Sequence, residues 1–367
     1  MGCSLSRNSR AGARLRPPAL ILALAILPGL IASAAAEPEA VQQRALDLWA
    51  AGLYAEATAA FQQLNVRFPD HRRGKAAYAH LGNLYENERA VEAVTAMELR
   101  DVLLEARRFY RIAATGVPDQ EPSIRSTAME GLRRVEGKLR YLEEVLAGRA
   151  GYVEGAETLS DYEAPAAAVD WLRNFLNREP SLSDHILFLT LVHQTDYIDA
   201  LVRRLTDAYA GLREREPALF EAAYARFVPL IHEAIESSLE TSASALVAHP
   251  QSPHGLDYHV YRGEAHRYRA LLSIARRDWA LERGEADAVA QQEAAVIRDL
   301  RLAIAENEAI LQASERPAPP FEAADLHRYR EMAEERLLEI RQLLIPFEAP
   351  QPAEPDPLRP GPAPPSD

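Results

Sequence analysis

Two short segments of this chain share one spacing of small, bulky and proline residues. Within GLYAEATAAFQQLNVRFP, residues 52–69, Ala57, Phe61, Leu64 and Pro69 lie four, three and five apart. In ARRFYRIAATGVP, which ends at Pro118, Ala106, Tyr110, Ala113 and Pro118 repeat those intervals. Separations of three and four are neighbour spacings on a helix, so each copy sets a small residue and an aromatic on one face. The proline then stops the helix, because it cannot continue the hydrogen-bond ladder. Gly52-Leu53-Tyr54 predicts a sharp turn between two helices, with the tyrosine filling the corner. Residues 40–118 are therefore expected as antiparallel helical hairpins laid side by side.

Around these segments the apolar residues keep a helical period. Residues 39–51 group Val41, Ala45, Leu48 and Trp49 on one side, and residues 75–87 carry Tyr78, Leu81, Gly82 and Tyr85. The pattern resembles the tetratricopeptide (TPR) repeat: small residues where paired helices touch, an aromatic knob and a terminal proline. The resemblance covers about residues 40–146. It implies a packing set of Ala57, Phe61, Pro69, Gly82, Tyr85, Ala106, Tyr110, Ala113 and Pro118. It also implies a concave face lined by the first helix of each pair, with Gln42, Trp49, Asn83, Glu86 and Asn87 as groove candidates. Asn83 leads them, since a side-chain amide pairs with an extended peptide backbone. The family's carboxylate-clamping lysines have no counterpart here, so capture of a peptide C-terminus is not implied. The second unit departs from the family at residues 88–101, which delay Ala106 by about twelve positions, roughly 18 Å of helix. With no proline or glycine there, the expectation is a lengthened helix pair.

Residues 122–146 read as a long helix covering the last pair, as the end of a repeat array requires. Gly148 to Gly155 reads as a boundary loop, not a phosphate cradle, because no strand precedes it and no G-x-x-x-x-G-K-[ST] follows. Further helices are expected over 165–178, from a Ser181–Asp184 capping signal to 216, over 217–247 with a kink at Pro229, over 256–282, over 287–313 and over 321–344. The fold class is all-α: a TPR-like array over 37–148, then a larger helical bundle or solenoid domain over 149–346. Residues 346–367 hold nine prolines and are expected to form an extended tail.

Four arginines, an apolar run from Ala19 to Leu27, and Ala34-Ala35-Ala36 before Glu37 are the three parts of a secretory signal peptide, residues 1–36. Met1-Gly2-Cys3 also fits N-myristoylation beside a palmitoylatable cysteine, which leaves the apolar run unexplained. The expectation is a periplasmic or secreted chain, with membrane association only through an uncleaved N-terminus. Loss of those four arginines would take the net charge from −13 to −17, which argues against a basic nucleic-acid face. Cys3 is the single cysteine, so the mature chain would have neither thiol chemistry nor disulfides.

Chemistry is sparse. His249, His254, His259 and His266 cluster with Asp257 and Glu264, but their spacings match no metal motif. His232-Glu233-Ala234-Ile235-Glu236 has a glutamate where a zinc-protease helix needs its second histidine. No G-x-S-x-G occurs, and the Asp-Tyr pairs at 161, 196 and 257 are ordinary neighbours. The expectation is a non-enzymatic scaffold that binds other proteins, with no cofactor and no metal. A metal-dependent hydrolase in the second half and a self-assembling subunit using the last helix are the alternatives.

Overall fold

The computed structural model describes residues 37–315 and 323–348, and these form an all-α protein with no strand among them. In chain order the helices are α1 (Pro38–Ala50), α2 (Tyr54–Arg67), α3 (Arg72–Asn83), α4 (Ala96–Arg111), α5 (Pro122–Leu146), α6 (Tyr152–Asp161), α7 (Pro165–Leu176), α8 (Ser183–Leu212), α9 (Pro217–Ala248), α10 (Gly255–Glu282), α11 (Ala286–Glu315) and α12 (Ala323–Glu348). Consecutive helices pack on one another throughout. The signal-peptide reading of residues 1–36 and nearly all of the tail fall outside the described residues.

The first turn forms as its sequence dictates. Gly52 takes a left-handed φ of +75°, and a Cβ there would meet the Arg226 side chain at 2.4 Å. Tyr54 fills the corner, 8 % exposed, its ring 4.6 Å from that of Trp49. Pro69 lies in the turn just after α2 and Pro118 in the turn before α5. Gln120, 5 % exposed, fastens that second turn back on the array by donating to the Lys75 and Ala113 carbonyls.

The stretch 88–101 differs from expectation. The helical run from α3 continues through a π-helical turn, Leu84–Arg89, and a 3-10 turn, Ala90–Glu92, then breaks at Ala93–Thr95 without glycine or proline. The break resembles a capping box displaced by one residue: Thr95 Oγ1 accepts the Glu98 N–H, and the Glu98 carboxylate accepts the N–H of Val94, just before the cap, at 2.8 Å. α4 likewise ends in a π-helical turn, Ile112–Gly116. Both members of the second pair are lengthened, and the corner lies between them.

Other differences have local causes. Gly155 is a packing residue inside α6, where a Cβ would meet the Trp171 indole at 2.3 Å, so the boundary loop is shorter than the glycines suggest. α8 starts at Ser183 without a side-chain cap; Asp184 instead accepts Ser252 Oγ and Tyr258 Oη, tying the helix start to the loop before α10. α9 spans Pro217–Ala248 with Pro229 inside it, close to its expected limits. α12 continues past Leu344 and Pro346 to Glu348, held by Phe347 against Ile340 and Leu344 and under the Arg277 guanidinium.

Burial does not divide at residue 148. One cluster joins Leu48, Phe61 and Leu81 of α1–α3 to Leu201, Phe227 and Leu272 of α8–α10. A second joins Leu103 and Tyr110 to Leu142, Leu159 and Leu172, and extends to Ile186. The first hairpin thus packs directly on the second half. Glu92, at the corner between α3 and α4, stitches the same seam. Its carboxylate is 7 % exposed and meets Arg89, Tyr54 Oη at 2.9 Å, Arg226 at 2.7 Å and Arg204 at 3.7 Å.

The C-terminal hairpin buries a histidine. His266 is 5 % exposed, its Nδ1 lies 3.2 Å from Arg269, and its Nε2 has no partner. Burial first, and the Arg269 charge second, push its pKa down from 6.5 to about 4. The folded chain therefore holds His266 neutral where the unfolded chain protonates it. That contribution to stability is present above pH 6.5 and is lost as pH falls toward 4. The expected loss is about 2 to 3 kcal/mol across that window. Urea unfolding as a function of pH tests this: His266→Gln must flatten the slope between those limits, and an unchanged slope would refute the assignment.

Candidate protein-binding groove

α1, α3 and α5 line a shallow concavity of about 320 Å³. Its floor is Ala76 and Ala79 from α3 and Ile124 from α5; Gln42, His80 and Asn83 form one side, Ser123, Thr127 and Arg134 the other. His80 packs edge-on to Phe61, and burial pulls its imidazole pKa below the usual range.

The close approach of α3 and α5 has a specific basis. The Tyr110 ring of α4 lies between Gly82 and Gly131, where added Cβ atoms would approach it to 2.6 and 2.4 Å. Its hydroxyl donates to Glu86 at 2.9 Å, and burial, followed by the Glu86 charge, raises its pKa. Glu86, 1 % exposed, also accepts Arg134 at 3.1 Å and Lys138 at 3.3 Å. One buried carboxylate thus holds three helices at fixed separation.

The five groove candidates separate on this geometry. Gln42 and Asn83 come together on one wall. Gln42 Oε1 accepts from Arg73, and Asn83 Oδ1 accepts from Asn87 at 2.6 Å. Both side-chain NH₂ groups are left without a protein hydrogen bond among the described residues. Asn87 is exposed and orients Asn83 from outside the lining. Glu86 does not face the groove, because its carboxylate is consumed beneath it. Trp49 is 4 % exposed and donates its indole N–H to Glu88 at 2.8 Å, in a separate crevice toward α8. Of the packing set, Ala57, Phe61, Gly82, Ala106, Tyr110 and Ala113 are buried and Tyr85 is half-buried against Phe109, whereas Pro69 and Pro118 are exposed in turns.

Arg134, His80, Gly131 and Glu92 were not singled out by the sequence. Arg134 and Gly131 lie on α5, which reads in sequence only as a cover. The Thr95–Glu98 capping pattern was a visible signal for the corner beside Glu92.

The histidines of the second half serve other ends. His254 stacks on Phe188 at 4.2 Å, His259 contacts Glu306 at 2.7 Å, and His249 contacts Ser183 at 3.1 Å. No group of three histidine, cysteine or acidic side chains among the described residues is placed to hold a metal ion. No described helix is long and apolar enough to cross a membrane. No family model matches the chain, no curated protein matches it, and no solved structure matches it.

Proposed function

We propose that this protein is an exported, TPR-like scaffold that holds an extended segment of a partner protein in the groove of α1, α3 and α5. The observation that carries the reading is the pair of uncommitted amide donors, Gln42 and Asn83, above a floor of small apolar residues. An extended peptide offers backbone carbonyls to which such amides can donate, and alternate side chains for the floor. Arg72 and Arg134 on the rim, 76 % and 53 % exposed, are already paired with Glu121 and Glu86, so recognition in this reading rests on the amide donors and the apolar floor rather than on charge. The sequence of residues 1–36 supports the export part of the reading, which places the partner in a periplasmic or envelope assembly.

A photocrosslinking amino acid at Asn83 or Thr127, on the groove, should trap one discrete partner in cells. The same group at Gln63 or Arg108, exposed on second helices, should not. Asn83→Ala combined with Gln42→Ala should lower the trapped yield from Thr127 about tenfold. Equal trapping from both faces would defeat the groove assignment.

A further inference from the structure

A second concavity lies where the corner at Val94 meets α7, α8 and α9. It holds about 190 Å³, and its walls are largely apolar: Val94, Val169, Leu230 and Ala234. Five polar side chains, Arg173, Gln194, Tyr197, Glu233 and Ser237, interrupt them. Gln194 is 3 % exposed; its amide nitrogen donates to Ser237 and Thr241, while its Oε1 has no partner. A buried acceptor without a donor is costly, about 1 to 3 kcal/mol, and here the missing donor belongs in the cavity the residue lines. The Tyr197 hydroxyl makes no hydrogen bond to protein among the described residues. Burial above all, with Glu92 and Glu233 adding to it, raises its pKa to about 12, so it stays a neutral donor. Arg173 donates to Ser237 Oγ at 2.7 Å and its charge acts on the Asp170 carboxyl one helical turn before it, though the two form no ion pair; Glu233 has no ion pair among the described residues.

A cation and an anion that share no ion pair, on one largely apolar cavity with the buried Gln194 Oε1 unpaired, match the groups of a zwitterion. We propose that this cavity binds a small aliphatic α-amino acid. Its ammonium is held by Gln194 Oε1 and the Glu233 carboxylate, its carboxylate by the Arg173 guanidinium, and its side chain by Val169, Leu230 and Ala234. Size sets the class: a cavity of about 150 Å³ takes the six carbons of benzene, so one of about 190 Å³ suits about eight non-hydrogen atoms, valine, with leucine at the upper limit. The site stands apart from the groove of α1, α3 and α5 and does not depend on it. Because Val94 belongs to the second hairpin and the remaining walls to α7–α9, a bound amino acid would bridge the two halves of the chain.

Titration calorimetry on the full chain tests the assignment with valine, leucine, leucinamide and 4-methylpentanoate as probes. Valine or leucine should bind below about 1 mM, and the two analogues, each lacking one charge, should bind at least about tenfold more weakly. Glu233→Gln and Arg173→Met should each weaken leucine by a similar factor with the unfolding midpoint unchanged, since both side chains are exposed. No binding of either amino acid at about 10 mM overturns the proposal. So does an analogue that binds as tightly as leucine, or a pair of substitutions without effect.

Discussion

Glu92→Ala should lower stability by about 2 to 3 kcal/mol, the cost of stripping a buried counter-anion from Arg204 and the Tyr54 hydroxyl, discounted because Arg89 and Arg226 keep about a third of their surface in water. Arg204, 14 % exposed, and Arg226, whose Nε is already unpartnered, would be left facing Arg89 across the empty position. The Tyr54 hydroxyl would lose its acceptor at the same time. Glu92→Gln keeps an oxygen for these donors and should cost roughly half as much. Urea unfolding at neutral pH measures both. A loss below about 1 kcal/mol for the alanine variant would mean that water already screens the cluster, and the seam would have to be held by apolar contact alone.

The second large effect is a reversal of sign within a single helix. Gly131→Ala and Gly137→Ala are the same change six residues apart on α5. At Gly137 a Cβ meets nothing within 4 Å, so alanine should stabilise by about 0.5 to 1 kcal/mol through helix propensity. At Gly131 the Cβ would run into the Tyr110 ring at 2.4 Å. That ring is backed by Gly82 and tethered through its hydroxyl to Glu86, so it has nowhere to retreat. Alanine there should cost at least about 2 kcal/mol. In a Tyr110→Leu background most of the Gly131→Ala cost should vanish, giving a coupling energy above about 1 kcal/mol. Additive effects in that double-mutant cycle would refute the clamp.

These two sites show where sequence reasoning reached and where it stopped. Helix identity was legible nearly everywhere, because period and proline positions are local quantities: α5 over residues 122–146 matches its expected limits, and α10 starts within a residue of its own. Tyr110 and Gly82 were legible as packing residues for the same reason. Their third partner, Gly131, was not, because nothing in the spacing of α5 tells which of its glycines meets a ring of the preceding helix. Glu86 was misplaced for a related cause. Its helical phase matches Asn83, but the π-helical turn from Leu84 to Arg89 widens the helix there and rotates later residues inward, onto Tyr110 and Arg134. The groove's second wall and the Glu92 cluster depend on contacts across long stretches of chain, up to 134 residues for the Arg226 bond, and no local pattern encodes them.

The anchoring of α1 has a further consequence. In an open solenoid the terminal unit touches one neighbour only, so warming peels the array from its tip. Here Arg215 grips Asp47 through both carboxylate oxygens, Arg44 pairs with Glu216, and Leu48 shares its cluster with Phe227. The tip is clasped by a segment that follows it by more than 160 residues. The first hairpin is thus expected to melt only together with the helices that clasp it.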